Sequence, residues 1–282
     1  MAMSKETTHP EGEMITAKDH ARRQWKLDAI STGTGVFLAL FMWGHMFFVS
    51  TILTGERGFN FIADMFEHYW LAQPTVVLVT VVFFVHFVTA SRKIPSKLAE
   101  RKRIKDLGDH ITDSEWNISD EDREELEKVR PHKETSLWIW QVRSGMIILA
   151  LGSIHLFVVG ADVAKRTFGI GEAIGINAAE TMERVKGGMW LLYAVLLYMV
   201  ELHAGIGLYR VTVKWGLGAR IPIIGKRITR QMAHTMETVV LWFFLIIGLV
   251  TLLVMAGVID PPLEGLLGTP DVNQAVDHNS TK

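Results

Sequence analysis

The stretch LLYAVLLYMVELHAGIGLYR, from Leu191 to Arg210, places two polar side chains inside an otherwise apolar run. As a helix, the run is long enough to cross a hydrocarbon layer of about 30 Å. Glu201 and His203 lie within it, two positions apart. Burying a carboxyl and an imidazole in hydrocarbon is costly unless other groups bind them. The stretch therefore predicts a membrane-spanning helix that carries a functional site.

Apolar blocks of this kind recur along the chain, which has 282 residues and is 49% hydrophobic. Five blocks are long enough to span a membrane as helices. They cover Ala29–Leu53, Leu71–Ala90, Leu137–Ala161, Gly187–Leu208 and Val239–Val258. Gln73 and Pro74 interrupt the start of the second block, but proline is tolerated in a first helical turn, so we expect the helix to begin there. The predicted fold class is an all-α membrane protein with five transmembrane helices.

Lys and Arg are concentrated in alternate connecting segments. Five precede the first span, eleven lie between Arg92 and Lys133, and six lie between Arg210 and Arg230. The two other loops between spans hold one and four, and the C-terminal tail holds only Lys282. The positive-inside rule therefore places the N-terminus in the cytoplasm and the C-terminus outside.

This topology predicts how the chain is divided. The predicted parts are a cytoplasmic N-terminal arm over residues 1–28, a membrane domain over 29–260 with a cytoplasmic loop over 92–135, and an outer tail over 261–282. Within the loop, SDEDREELEKV predicts a short helix, with Ser119 as its N-cap and acidic residues in its first turn. A solvated surface helix and a docking surface for a cytoplasmic partner both fit that segment.

The chain contains no cysteine. This excludes disulfides, thiolate-bound iron–sulfur clusters and thioether-linked haem in this chain. The sequence also has no P-loop and no glycine-rich dinucleotide fingerprint after a strand. Any flavin or iron–sulfur chemistry must therefore belong to another subunit, and no nucleic-acid partner is expected.

Four of the eleven histidines each fall inside a different apolar span, namely His45, His86, His155 and His203. A single one could simply hydrogen-bond to a neighbouring helix, but four on four helices form a stronger pattern. Because successive spans run in opposite directions, His45 and His155 lie near the outer side, whereas His86 and His203 lie about 10 Å from the cytoplasmic ends of their spans. Facing imidazole pairs are what bis-histidine haem ligation requires, so the sequence predicts two haems b.

Other residues near the histidines fit the same interpretation. Gly44, Gly152 and Gly205 each lie within three residues of one of these histidines and would let a flat macrocycle approach the backbone. Small residues also suit plain helix–helix packing. Haem propionates need cationic partners near the interfaces, and Lys214 on the inner side and Arg184 on the outer side are candidates. Either residue could instead serve only as a flanking anchor.

Four motifs in order, LFMWGHMFFVSTIL, VHFVTASRKIP, LGSIHLF and VELHAGIGLYRVTVKWG, closely resemble the dihaem cytochrome b subunits of quinol:fumarate reductases and succinate:quinone oxidoreductases. The likeness covers roughly Ala29 to Gly216. It implies a five-helix bundle around two haems b, with the four span histidines as ligands. It also implies menaquinone or another quinone as substrate and a location in the bacterial inner membrane. The implied partners are a flavoprotein (FAD) subunit and an iron–sulfur subunit on the cytoplasmic side, and assembly as a dimer of heterotrimers is left open.

The resemblance also bears on Glu67 and Arg143. The family has a quinone-site glutamate after the first span in an F-E context, and DMFEHYW places Glu67 there. Without the resemblance, Glu67 would be interpreted as a solvated acidic residue in a loop. Arg143, in the first turns of the third span, either serves a haem propionate or only the interface. The cytoplasmic loop over 92–135 is longer than expected for the family.

The function that the resemblance implies is quinol oxidation near Glu67, with electrons passing through the outer and inner haems to the subunits that reduce fumarate. The reverse direction would oxidise succinate. Glu201 lies about 200° around its helix from His203, so it points away from the haem that His203 binds. Glu201 either hydrogen-bonds to a neighbouring helix or relays a proton that compensates the charge moved by the electrons.

Two alternatives belong to other classes of protein. One is a cytochrome b anchor of another quinone-linked dehydrogenase, which the VELH motif disfavours. The other is a membrane metal or proton transporter whose histidines bind a cation directly. Transporters often show broken helices and internal repeats, and neither is evident in this sequence.

Overall fold

The computed structural model describes residues 10–113, 133–170, 177–216 and 229–267. The helices are α1 (Pro10–Ser50), α2 (Glu56–His68), α3 (Ala72–Ser91), α4 (Ile94–Asp113), α5 (Lys133–Phe168), α6 (Ala178–Arg184), α7 (Trp190–Lys214) and α8 (Arg230–Met255). Short 3₁₀ turns occupy Thr51–Thr54 and Glu264–Leu267, and a π turn occupies Val185–Met189. No strand occurs in these ranges, which confirms the predicted all-α class.

Five helical segments within the described ranges are long and apolar enough to cross a membrane. They are Lys18–Thr54, Ala72–Arg103, Ser136–Phe168, Ala178–Lys214 and Gln231–Met255. Each overlaps one predicted span almost completely, so the number and order of the spans are confirmed. α3 begins at Ala72 and holds Gln73 and Pro74 in its first turn, where proline has no hydrogen bond to lose.

Helical structure extends beyond the apolar blocks at two places. α1 begins at Pro10, so residues 10–28 of the predicted arm continue into the first span without a break. α4 occupies Ile94–Asp113, within the predicted cytoplasmic loop. The apolar pattern marks only the part of a helix that suits hydrocarbon, so it could not reveal these polar extensions. The predicted helix after Ser119 lies outside the described residues, and the sidedness of arm, loop and tail stays a prediction.

The chain comprises two compact units. The first unit is Met1–Leu38 with Val81–Leu137, and the second is Ala39–Thr80 with Trp138–Lys282. In the first unit, polar contacts tie the end of α3 to α1. The Arg92 guanidinium pairs with the Asp28 carboxylate and also donates to the Gln24 side chain, and Lys93 Nζ lies 2.8 Å from Asp28.

In the second unit, α8 approaches α7 and α1 closely at Gly248. A Cβ at this position would lie 2.7 Å from Leu197 Cδ1 and 3.3 Å from Met46 Cε. Close approach through small residues is typical of helix packing in membranes, where hydrophobic burial alone does not drive association. Trp43 of α1 stacks on Phe244 of α8, with ring centres 5.3 Å apart.

An apolar cluster packs the 3₁₀ turn, α2, α6 and the end of α8 together in the second unit. Its buried members are Ile52, Leu53, Phe59, Ala63, Ala178, Val185, Val254 and Met255. Polar bonds support it, since the Ala178 N–H donates to Asn60 Oδ1 at 2.7 Å and the Leu263 N–H to the Leu53 carbonyl at 2.8 Å. The cluster fixes α2, the helix that carries Glu67.

Replacing Phe59 by alanine should destabilise this cluster. Phe59 is 2% exposed and its ring centre lies 5.0 Å from that of Phe48. Truncating a buried phenylalanine costs about 3–5 kcal/mol. We expect a clear fall in the thermal unfolding temperature of the purified protein. Phe61→Ala, at a position that is 70% exposed on the same helix, is the matched control and should change it little. Equal unfolding temperatures for the two variants would contradict the role given to Phe59.

Candidate haem and quinone site

The structure brings His45 of α1 and His155 of α5 together within the second unit. Their ring centres are 6.3 Å apart and the ring planes are inclined by 53°. A metal–imidazole bond is about 2 Å long and a ring nitrogen lies about 1 Å from the ring centre, so two imidazoles on opposite sides of one metal ion have centres about 6 Å apart. The observed separation would therefore allow both imidazoles to bind one haem iron.

Aromatic side chains enclose this pair. Phe41 stacks on His45 at 5.9 Å between ring centres, and Tyr193 of α7 meets His155 edge-on at 5.4 Å. His155 Nδ1 is buried and has no hydrogen-bond partner among the described residues. An uncompensated buried nitrogen is costly. Haem binding at this pair would give one nitrogen of each imidazole a metal partner, so the residues present fit that cofactor.

His86 of α3 lies against α1 within the first unit. Its Nδ1 is 3.1 Å from the Ser31 carbonyl oxygen and 3.2 Å from Thr34 Oγ1. A Cβ on Gly35 would lie 2.8 Å from His86 Cε1. The ring therefore rests on the backbone at this glycine.

His203 of α7 makes the same set of contacts with α5, within the second unit. Its Nδ1 is 2.9 Å from the Gln141 carbonyl oxygen and 3.3 Å from Ser144 Oγ. A Cβ on Gly145 would lie 2.9 Å from His203 Cε1. His86 and His203 thus each face a carbonyl, a hydroxyl three residues later and a glycine four residues later.

Glu201 is buried, with 3% of its surface exposed. Trp43 of α1 lies beside its carboxyl, but the Trp43 indole Nε1 makes no hydrogen bond with any acceptor in the described ranges. His203, two residues later, faces α5 instead. The two side chains therefore point to different helices, as a spacing of two residues requires.

Glu67 lies in the last turn of α2 and pairs with Arg166 near the end of α5. The distance from Glu67 Oε2 to Arg166 Nη2 is 2.5 Å. The side chains are 23% and 48% exposed, respectively. A half-exposed pair of this kind contributes at most about 1 kcal/mol to stability, so its main effect is to orient the carboxylate.

Known proteins that are similar to this chain identify its family. The family model of the succinate dehydrogenase/fumarate reductase transmembrane subunit matches residues 122–246. The fumarate reductase cytochrome b subunit of Wolinella succinogenes is 32% identical over 240 residues, which cover 82% of this chain and 81% of that protein. The chain belongs to the family of fumarate reductase cytochrome b subunits. The subunit of Helicobacter pylori strain 26695 is also 32% identical, over 234 residues that cover 80% of this chain and 78% of that protein.

The family and the five apolar helices together make this cytochrome b subunit a multi-pass protein of the bacterial inner membrane. The resemblance read from the four motifs is thereby confirmed. The assignments of individual site residues are a separate matter and stay predictions.

The cations predicted to serve haem propionates have protein neighbours in this cytochrome b subunit. Arg184 Nη2 lies 2.9 Å from Asp162 Oδ2, and both side chains are largely buried. Arg184 also interacts with Tyr193, the residue that packs against His155. A guanidinium carries five N–H donors, so after pairing with one carboxylate it still has donors that a propionate could use.

Lys214 and Arg143 lie over aromatic rings. Lys214 Nζ is 5.6 Å from the ring centre of Trp215, and the Arg143 guanidinium carbon is 5.8 Å from that of Trp140. Such cation–π contacts are common where a charged side chain stands at a membrane interface. They suit a flanking anchor as well as a propionate partner, so the predicted roles of both residues stay predictions.

Several residues of the site escaped the sequence analysis. Gly44 was singled out beside His45, but a Cβ there would meet no described protein atom within 4 Å, whereas Gly35 and Gly145 touch imidazole rings. The pentapeptides that hold these two glycines, STGTG at 31–35 and QVRSG at 141–145, share a hydroxyl residue followed directly by glycine. Each lies on a different helix from the histidine it touches, so spacing along one helix could not reveal it.

Proposed function

We propose that this cytochrome b subunit binds two haems b, oxidises menaquinol or another quinol near its outer face, and passes the electrons to a cytoplasmic iron–sulfur subunit. The flavoprotein (FAD) bound to that subunit would reduce fumarate. The reverse flow would oxidise succinate and reduce quinone. The observation that carries the proposal is the 6.3 Å separation of the His45 and His155 ring centres inside apolar helices. The relatives named fumarate reductase cytochrome b subunits support the same function.

The four span histidines hold the haems in this proposal. His45 and His155 bind the outer haem, and His86 and His203 bind the inner one. When bound, the haems supply one-electron carriers whose potentials depend on their axial ligands and surroundings. The chain itself contributes binding, orientation and cationic groups near the interfaces. The groups proposed to meet propionates are Arg184, Lys214 and Arg143.

The sidedness of the proposal rests on charge. Cytoplasmic segments of membrane proteins carry an excess of Lys and Arg, and eleven of these residues lie between Arg92 and Lys133. We therefore place the N-terminus, the 92–135 segment and the docking surface for the iron–sulfur and flavoprotein subunits in the cytoplasm.

The histidine assignment can be tested by haem content. Replacing His45 or His155 by alanine should remove the outer haem, and replacing His86 or His203 the inner one, because each haem then loses one of its two axial ligands. Haem-to-protein stoichiometry and redox titration of the purified complex measure this. His20→Ala, at an exposed position of α1, is the control and should retain both haems. Depletion of different redox components by His45→Ala and His155→Ala would overturn the pairing.

Glu67 is the proposed quinol-site base. Oxidising a quinol releases two protons, and a carboxylate within reach of the quinol hydroxyl can accept one. The pairing with Arg166 at 2.5 Å holds the carboxylate at the end of α2, where 23% of it is exposed. The packing of Ala63 and Phe59, about one and two turns before Glu67, fixes the position of this helix.

Glu67→Gln should lower quinol oxidation by about 100-fold or more, because the amide keeps the shape of the side chain but cannot accept the proton. Haem content and fumarate reduction with an artificial electron donor should be unchanged. Asp64→Asn removes another carboxylate from α2 at an exposed position and serves as the control. Normal quinol turnover by the Glu67→Gln complex would contradict the assignment of Glu67 as the quinol-site base.

Glu201 is the proposed proton relay. Quinol oxidation at the outer face releases protons there, and fumarate reduction in the cytoplasm consumes them. Electron transfer alone would therefore separate charge across the membrane. A buried carboxyl can carry a compensating proton inward, and Glu201 is 3% exposed within α7, beside Trp43 of α1.

Glu201→Gln should keep both haems but slow quinol-linked fumarate reduction at least about tenfold, because glutamine cannot exchange a proton. Glu201→Asp retains a carboxyl and should recover part of the rate. Activity with an artificial donor should be equal in all variants, and Glu183→Gln, at an exposed outer position of α6, is the control. Full quinol-linked activity in a dihaem Glu201→Gln complex would leave the carboxyl with only a structural role.

A further inference from the structure

Each inner histidine is held by a three-part seat on a neighbouring helix. The α1 seat consists of the Ser31 carbonyl, the Thr34 hydroxyl and Gly35, and it holds His86. The α5 seat consists of the Gln141 carbonyl, the Ser144 hydroxyl and Gly145, and it holds His203. The Nδ1–oxygen distances are 3.1 and 3.2 Å in the α1 seat and 2.9 and 3.3 Å in the α5 seat.

The seats determine which ring nitrogen carries the proton. A carbonyl oxygen can only accept a hydrogen bond. Thr34 Oγ1 donates its own proton to the Ile30 carbonyl at 2.7 Å, and Ser144 Oγ donates to the Trp140 carbonyl at 2.8 Å, so each hydroxyl offers Nδ1 an acceptor as well. The lone pair of an unprotonated Nδ1 would repel the lone pairs of these two acceptor oxygens. Nδ1 is therefore the protonated nitrogen, and Nε2 carries the lone pair that would bind a metal.

Glycine permits the close approach that this hydrogen bond needs. In a helix the carbonyl of residue i points toward residue i+4, so a side chain at i+4 would stand beside that carbonyl. A Cβ on Gly35 would lie 2.8 Å from His86 Cε1 and 3.3 Å from Nδ1, and a Cβ on Gly145 would lie 2.9 and 3.3 Å from the same atoms of His203. An imidazole is rigid, so a methyl group at either position would push the whole ring away from the carbonyl.

We propose that the two seats position the axial histidines of the inner haem and set the potential of that haem. Each seat fixes the Nδ1–H tautomer and the orientation of one ring. Donation from Nδ1–H to the seat makes the imidazole a stronger electron donor, which favours the ferric haem and lowers its potential. Thr34, Ser144 and the two glycines are positioning residues, because they act through His86 and His203. This inference rests on the proposed assignment of those histidines to the inner haem.

The hydroxyl variants give the first test. Thr34→Val and Ser144→Ala each remove one acceptor and leave the carbonyl in place, with little change in side-chain volume. Redox titration of the purified complex should show both haems present, a more positive potential for the inner haem and an unchanged outer haem. Thr80→Val is the matched control, because the Thr80 hydroxyl also bonds to a carbonyl four residues earlier, at 2.7 Å. It should shift neither potential.

The glycine variants give the second test, with haem content and the electron paramagnetic resonance g-values of the ferric haem as readouts. Gly35→Ala and Gly145→Ala should lower the affinity for the inner haem by about tenfold or more and change its g-values, because the ring turns away from its seat. Gly33→Ala is the control, since a Cβ there meets no described atom within 4 Å. Unchanged g-values and full inner-haem content in both seat variants would overturn the glycine part of the inference.

The assignment of His86 and His203 as haem ligands and the role of their seats are tested separately. Retention of the inner haem in His86→Ala and His203→Ala would overturn the ligand assignment. It would also overturn the role of the seats, which depends on that assignment. Loss of that haem in the histidine variants, together with an unmoved inner potential in Thr34→Val and Ser144→Ala, would overturn the seats alone. The hydroxyl variants decide this even where a glycine variant does not assemble.

Discussion

A polar side chain buried in an apolar helix must be bound by another group, and this constraint orders the described structure of the cytochrome b subunit. Helical backbone satisfies its own N–H and C=O groups, so the cost falls on side chains. The Asp162 carboxylate is bound by the Arg184 guanidinium at 2.9 Å. His86 and His203 meet the constraint by turning Nδ1 toward helix carbonyls. The rings of His45 and His155 lie close together, and a metal ion would bind one nitrogen of each ring.

Small residues make these contacts possible because they let rigid groups approach the helix backbone. Gly35 and Gly145 admit imidazole rings, and Gly248 admits the side chain of Leu197. Gly205 lies against a polar group instead, since a Cβ there would lie 3.3 Å from Glu237 Oε1. Glycine therefore permits close contact both with apolar side chains and with polar ones, depending on which residue lies across the interface.

The carboxylates proposed to move protons occupy contrasting environments, and these environments suit their proposed tasks. Glu67 stands at the end of α2 with a guanidinium beside it and part of its surface exposed, where it can meet a mobile quinol. Glu201 lies inside the second unit beside an indole, where it can exchange a proton only with groups that reach it through the protein. The apolar cluster around Phe59 connects fold and function, because it holds the helix that carries Glu67.

The sequence by itself determined the properties that depend on neighbours along the chain. Five apolar blocks of sufficient length predicted the five spans, and Pro74 correctly marked the first turn of α3. The spacing between Glu201 and His203 predicted that Glu201 points away from the side of the helix that carries His203, because a helix turns by about 100° per residue. The polar helical stretches at 10–28 and in α4 were missed, since outside hydrocarbon a helix needs no apolar block.

Only the tertiary structure decided which groups meet across helices. Glu67 and Arg166 are 99 residues apart in the chain, and His86 meets a hydroxyl 52 residues away. Helical periodicity states which side chains share a face, but it does not state which helix lies opposite or how that helix is rotated about its axis. A change in that rotation of one residue, about 100°, would turn Gly35 away from the ring that it touches. The contacts that hold His86 and His203 therefore became visible only once the helices were placed side by side.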